Sequence, residues 1–173
     1  MLTIGLFYGT DTGNTEKVSK RIKEVLEIKS KNISVELIEI YKKKKEDMAK
    51  YNFLILGMPT WYDGEIQGDW DLFISEMNQI DFSHKKVAFF GLGDQYGYAN
   101  YFCDAIGIFA EIVEKNSGII CGKTSTEGYV HGFSKAQRGN QFVGLCLDVD
   151  HQNELTESRI GNWTEQIVVE FYL

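Results

Sequence analysis

The chain has 173 residues, 43% hydrophobic and 25% charged, with a formal net charge of −7. That length predicts one domain, residues 1–173, with a substantial core, and the composition is that of an ordinary globular protein. The acidic balance argues against a nucleic-acid partner, no apolar run reaches the ~18 residues of a membrane span, and the start lacks the basic-then-apolar layout of a secretory signal.

Residues 2–8 (LTIGLFY) read as a buried strand. Residues 15–28 follow as a helix with Val18, Ile22, Val25 and Leu26 on one face. Residues 33–40 (ISVELIEI) are a second strand, and 46–51 a short helix. Residues 53–58 (FLILGM) form a third, wholly apolar strand, and 70–79 a helix carrying Leu72, Phe73, Glu76 and Met77. Residues 86–92 (KVAFFGL) are the fourth strand. Residues 101–115 read as a helix with Phe102, Ile106, Phe109 and Val113 at helical spacing, closed by Gly118. A fifth strand begins at 119–122, is interrupted by a polar, Gly-rich stretch at 123–141, and resumes at 142–147 (FVGLCL). A last helix spans 157–171, with Thr156 as its N-cap and Ile160, Trp163, Ile167 and Val168 turned inward.

Continuously apolar strands alternating with amphipathic helices predict a three-layer, doubly wound α/β fold. Its five-stranded parallel sheet is covered on both faces, and an insertion splits the fifth strand. An unstructured loop of that length is unusual enough to imply a role. Cys103, Cys121 and Cys146 are scattered in apolar surroundings without a CxxC, which predicts free, buried thiols and a reducing, cytoplasmic setting. The three histidines are too dispersed for a metal cage.

Ligands of such sheets bind beyond the carboxyl ends of the strands, and three distinctive loops leave from that end. The first contains Thr10, Asp11, Thr12, Gly13, Asn14 and Thr15. Backbone N–H groups at a helix start attract an anion, and hydroxyl and amide side chains add donors. The GxxxxGK[ST] pattern and its lysine are missing, so a single phosphate ester suits this loop better than a triphosphate with metal. The second loop, "PTWYDGEIQGDW", brings Pro59, Thr60, Trp61, Tyr62, Asp63 and Gly64. The third, "GLGDQYGYAN", brings Gly93, Asp94, Gln95 and Tyr98. A phosphate cradle beside aromatic faces implies a phosphorylated planar ligand, and FMN satisfies this.

These segments resemble the flavodoxins. "GTDTGNT" is similar to that family's phosphate loop, "PTWYDGE" to its first flavin loop and "GLGDQYGYANYFCDAIG" to its second. "TSTEGYVHGFSKA" with "FVGLCLDVDHQNELTESRIGNW" resembles the long-chain subgroup. The resemblance implies a flavodoxin-like sheet of order 2-1-3-4-5 and a non-covalently bound FMN, with no catalytic residues and no metal. Thr10, Thr12, Gly13, Asn14 and Thr15 would hold the phosphate, with Asp11 in the same loop but given no side-chain role. Trp61 would cover the inner face of the isoalloxazine and Tyr98 the outer. The Tyr62–Asp63 peptide, beside Gly64, would lie near flavin N5, where the family's peptide flips to accept a proton of the semiquinone. Backbone groups of Gly93, Asp94 and Gln95 would meet the pyrimidine edge, and Asp150 would lie near the outer tyrosine.

Charge is laid out unevenly. Residues 17–50 hold 11 Lys/Arg against 6 Asp/Glu, and the remainder 7 against 19. The stretch 59–76 carries Asp63, Glu65, Asp69, Asp71 and Glu76 and no cation. A carboxylate about 10 Å from a reduced, anionic flavin raises its energy by roughly 1–2 kcal/mol at an effective dielectric near 20. The expectation is therefore a low-potential one-electron carrier working between semiquinone and hydroquinone. It would be a monomer that docks transiently on basic faces of redox partners, with the basic segment lying away from the acidic rim. The family points to flavodoxin/ferredoxin–NADP reductase or a pyruvate oxidoreductase as partner. An FMN-dependent quinone reductase is disfavoured because no residues for hydride delivery stand out. A receiver-type signalling module is disfavoured because strand three ends in Gly57, Met58 and Pro59 rather than an aspartate.

Overall fold

The computed structural model describes residues 1–172. In chain order the elements are β1 (Leu2–Tyr8), α1 (Asn14–Lys29), β2 (Ile33–Glu39), α2 (Lys45–Ala49), β3 (Phe53–Trp61), β4 (Glu65–Ile66), α3 (Gly68–Met77), β5 (Lys86–Leu92), α4 (Asp104–Lys115), β6 (Ile119–Cys121), β7 (Thr124–Ser125), β8 (Gln137–Arg138), β9 (Gln141–Phe142), β10 (Leu145–Leu147) and α5 (Asn153–Tyr172). The strands are apolar on both faces because both faces are covered. Ile4, Leu6, Ile55, Ala88 and Phe90 pack under Ile22 and Leu26 of α1 and Trp163 and Ile167 of α5. Phe7, Leu54, Leu56, Val87 and Phe89 point the other way, onto Trp70 and Phe73 of α3 and Ile106, Phe109 and Val113 of α4. Each large side chain so buried contributes about 1.5–3 kcal/mol, and alternation along the strand divides the load between two cores.

The sheet runs β2-β1-β3-β5 in parallel, with the fifth position shared. β6 pairs with Lys86, Val87 and Ala88, and β10 pairs with Phe90, Gly91 and Leu92. The two short strands are thus the halves of one strand, as the doubled apolar signal predicts. Between them the chain is not a plain loop. β7, β9 and β8 form a small antiparallel sheet, so Phe142 belongs to that sheet and not to the resumed fifth strand. The insertion is braced on the body of the protein. The Tyr129 hydroxyl donates to the Cys146 carbonyl at 2.5 Å, the Arg159 guanidinium lies 4.1 Å over the Tyr129 ring, and the Phe142 ring packs on Phe102.

Several boundaries move. β3 continues through Trp61 because Thr60 and Trp61 pair with the short return strand β4. α3 starts at Gly68, two residues before the predicted start, because the Gln67 side chain caps it by accepting from the Trp70 N–H at 3.2 Å. α4 starts at Asp104 and not at residue 101. Cys103 sits at φ 55°, and a chain of turns precedes it, so Phe102 faces the core without being helical. At its far end Gly118 donates to the Val113 carbonyl, while the left-handed residue is Ser117. α5 starts at Asn153, which places Thr156 inside the helix and not at its cap. All three cysteines are free and buried. Among the described residues no helix is long and apolar enough to cross a membrane.

The basic segment does not stand apart from the acidic one. Lys44 pairs with Glu76 of α3 at 3.3 Å, and the Lys45 N–H donates to the same carboxylate at 3.0 Å. That backbone hydrogen bond and the Lys44 ammonium hold the Glu76 carboxyl below its usual range. Glu76 is therefore compensated, while Asp63 and Glu65 remain exposed.

Gly57 in β3 faces Phe90 in β5. A Cβ at Gly57 would stand 2.0 Å from Phe90 Cζ. Gly57→Ala is therefore expected to lower the unfolding free energy by about 1–3 kcal/mol through overpacking. Urea denaturation checks this, with a lower midpoint at unchanged slope as the expected result.

Candidate functional site

The helix after β1 covers one face of the sheet and the helix after β3 covers the other. The winding reverses between these neighbouring strands, and this leaves a crevice beyond their carboxyl ends. The cleft there is lined by the loop after β1, by the end of β3, by the loop after β5 and by the turn after β10.

From the first loop, Asp11, Thr12, Asn14 and Thr15 line the cleft. Gly13 ends the loop at φ 86°, a left-handed conformation that a side chain disfavours. It has no side-chain cap, so the first N–H groups of α1 are not capped by a side chain of the loop. Thr10 lies one layer back, its Oγ1 accepting from the Gly13 N–H at 3.0 Å. The Asp11 carboxylate is turned aside and accepts from Gln67 Nε2 at 3.0 Å. The cleft lining thus contains hydroxyls, an amide and a helix start, and no cation.

From the second loop, Pro59, Thr60, Trp61 and Tyr62 line the cleft. Thr60 Oγ1 accepts from the Ala105 N–H at 3.0 Å, which ties β3 to the start of α4. Trp61 Nε1 is buried and has no hydrogen-bond partner among the described residues. Tyr62, Asp63 and Gly64 make the three-residue connection to β4, with Tyr62 at φ 41° and Gly64 at φ 88°. A left-handed tyrosine costs about 1–3 kcal/mol, and such strain gathers at functional loops. The Tyr62 ring stands 6.2 Å from that of Trp61 and 5.9 Å from that of Tyr98. It therefore lies between the two predicted walls and is 58% exposed.

From the third loop, Gly93, Asp94 and Tyr98 line the cleft, but Gln95 does not. The Gln95 side chain is fully buried. Its N–H and its Nε2 each donate to Asp148 Oδ2 at 3.1 Å, and its Oε1 accepts from the Val130 N–H at 2.7 Å. The Gln95 N–H and side chain are therefore spent on the scaffold. Asp94 Oδ1 accepts from the N–H groups of Tyr96 and Gly97 and shapes the turn. Asp150 lines the cleft from the fourth side. Asp63 and Gly64 belong to the hairpin but not to the cleft wall.

Four contributors escape sequence reasoning. Leu92 and Val149 line the cleft, as ordinary apolar residues at strand ends. Gln67 joins Asp11, Asp69 and α3. Asp148, buried at the end of β10, accepts from Gln95 and also from the His151 N–H and ring. Polar residues that reach partners distant in the chain leave no periodic trace in the sequence.

These residues fit a phosphorylated planar group. Neutral donors gather at a helix start, and an indole with a buried, unpartnered N–H stands across the cleft from a half-exposed phenol. The comparisons agree. A sequence model of the flavodoxin family matches residues 6–163. A flavodoxin of Haemophilus influenzae is 47% identical, with 100% of this chain and 98% of that protein covered. Flavodoxin 1 of Escherichia coli is 45% identical, with 100% and 97% covered. The crystal structure of a Fusobacterium nucleatum flavodoxin bound to flavin mononucleotide superposes with a TM-score of 0.92 at 34% identity, over 98% of this chain and 99% of that one. The chain belongs to the flavodoxin family.

Proposed function

We infer that this chain is an FMN-dependent electron carrier and not an enzyme, and that the cleft described above is its flavin site. The observation that carries the reading is the union, in one crevice, of a cation-free donor loop at a helix start with the Trp61–Tyr98 slot. When bound, FMN supplies the one-electron chemistry, and the protein binds it, shields it and sets its electrostatics. The whole chain, residues 1–173, would act as one FMN-binding domain of the long-chain type.

The residues divide the work. Thr12, Asn14 and Thr15, with the first N–H groups of α1, hold the phosphate. Thr10 and Gly13 shape that loop, and Asp11 anchors it to Gln67. Trp61 and Tyr98 cover the ring system, Pro59 and Thr60 form its floor, and Tyr62 swings aside on the fast timescale of exposed rotamers to admit it. The Tyr62–Asp63 peptide, hinged at Gly64, faces the reactive edge. Gly93 and Asp94 meet the polar edge through their backbone, with Gln95 bracing the loop from behind and Asp150 at the outer rim. Asp63, Glu65 and Asp69 disfavour added negative charge and make the reduced protein a strong reductant. The same rim orients the protein onto basic faces of transient partners, such as a flavodoxin/ferredoxin–NADP reductase or a pyruvate oxidoreductase, and the carrier works as a cytoplasmic monomer.

A spectroelectrochemical titration tests this. The FMN-loaded chain is expected to be reduced in two resolved one-electron steps. Neutralising Asp63, Glu65 and Asp69 together is expected to raise the more negative potential by several tens of millivolts, since ~1.4 kcal/mol corresponds to ~59 mV for one electron. An unchanged potential would refute the electrostatic account, and failure to retain FMN would refute the function.

A further inference from the structure

Asp104, the first residue of α4, is fully buried. Its Oδ1 accepts from the Lys135 N–H of the insertion at 2.7 Å. Its Oδ2 is buried and has no hydrogen-bond partner among the described residues. That free oxygen lies directly beneath the Tyr62–Gly64 hairpin, where a Cβ built on Gly64 would stand 3.1 Å from it. Among the described residues the N–H groups of Asp63 and Gly64, on this exposed turn, have no protein acceptor. A buried carboxylate oxygen without a protein donor thus sits beside a strained turn whose Asp63 and Gly64 N–H groups the protein does not engage.

We propose that Asp104 is a positioning residue for the Tyr62–Gly64 hairpin: as a neutral acid, with its proton on Oδ2, it leaves the Asp63 and Gly64 N–H groups to the ligand, and as a carboxylate it draws them inward. An ionised carboxyl only accepts hydrogen bonds, and a buried one strongly demands donors. Ionisation releases the proton to solvent, and the hairpin moves to satisfy the charge left behind. Burial pushes the Asp104 carboxyl above its usual range, opposed by the Lys135 N–H and ammonium. Lys135 is the charged group acting on it from the insertion. On the hairpin Asp63 and Glu65 point to solvent, and the preceding turn supplies only the Tyr101 ring, beside Gly64, and the buried Cys103 thiol. The inference rests on the flavin site proposed above, because the hairpin borders that site.

The test is a titration of the full-length chain by NMR across about pH 4 to pH 8, with and without FMN. In the wild type, the Asp104 carboxyl carbon and the Asp63 and Gly64 amides are expected to titrate together at a midpoint above the ordinary aspartate range. In Asp104→Asn those amides stay flat. The FMN dissociation constant of the wild type is expected to rise with pH by about tenfold more than that of Asp104→Asn. Stability gives a parallel readout. A carboxyl whose pKa is raised on folding stabilises the native state below that pKa and loses the contribution as pH rises through it, so the urea midpoint of the wild type falls relative to that of the variant. Amides that titrate identically in Asp104→Asn, or an Asp104 carboxyl that titrates without them, would overturn the proposal. The wild-type titration needs no variant. Coupled amides in a chain that never retains FMN would uphold the positioning role and refute the flavin site.

Discussion

Trp61→Ala is expected to weaken FMN binding by about 10- to 100-fold, the equivalent of ~1–3 kcal/mol of lost stacking. The indole is the largest flat surface in the cleft, and it stands at the rigid end of β3, where pairing with β4 holds its backbone. A stacking partner on a strand end is preorganised, so little of its contact energy is spent on ordering it. Tyr98 lies on a turn and is 37% exposed, so Tyr98→Ala should cost less. Fluorescence titration of the FMN-free proteins measures both, because stacking quenches flavin emission. The stability of the FMN-free Trp61→Ala protein should change by less than about 1 kcal/mol, since the ring is only part-buried. Unaltered affinity in Trp61→Ala would show that the flavin lies elsewhere.

Asp148→Ala is expected to lower the unfolding free energy by about 2–4 kcal/mol, because it strands buried donors that each cost about 1–3 kcal/mol unsatisfied. The Gln95 N–H and side-chain amide both end on Asp148 Oδ2. The His151 N–H ends on Oδ1. Gln95 in turn holds the Val130 N–H of the insertion. One carboxylate therefore ties together the loop after β5, the turn after β10 and the inserted segment. Urea denaturation gives the loss of stability. Hydrogen exchange gives its location, with faster exchange at Gln95 and Val130 than in β1 as the expected pattern. Loss of stability without loosening of the 93–98 loop would show that Asp148 braces the core and not the cleft.

The fold was readable because its strands are apolar on both faces and its helices on one, and that pattern survives without any knowledge of neighbours. The split fifth strand was readable for the same reason, since 119–122 and 142–147 are each apolar. Helix starts were less so. Phe102 continues the helical spacing of α4 although its backbone lies in a turn, and the start of α3 depends on a glutamine cap that no apolar periodicity marks. In the cleft, residues with unusual chemistry for their place stood out: donors after a strand, and aromatics at a loop tip. What stayed hidden was the layer behind them. Gln95 looked like a ligand contact because it follows Gly93 and Asp94, yet its amide is complementary to Asp148 and Val130 and folds inward. Gln67, Asp104 and Asp148 each reach a partner 30 or more residues away, and nothing local announces such a pairing.

The division of the fifth strand also bears on how the molecule behaves in a crowded solution. β6 and β10 form the outer margin of the sheet and are bonded on one side only, each for 3 residues. Between them the chain leaves the sheet plane at Gly122, which is left-handed at φ 74°. A foreign strand seeking to extend the sheet there would find no unbroken ladder to follow, which is how natural sheets discourage edge-to-edge aggregation. The inserted segment thus leaves a second copy of the chain no continuous edge to pair with along this margin.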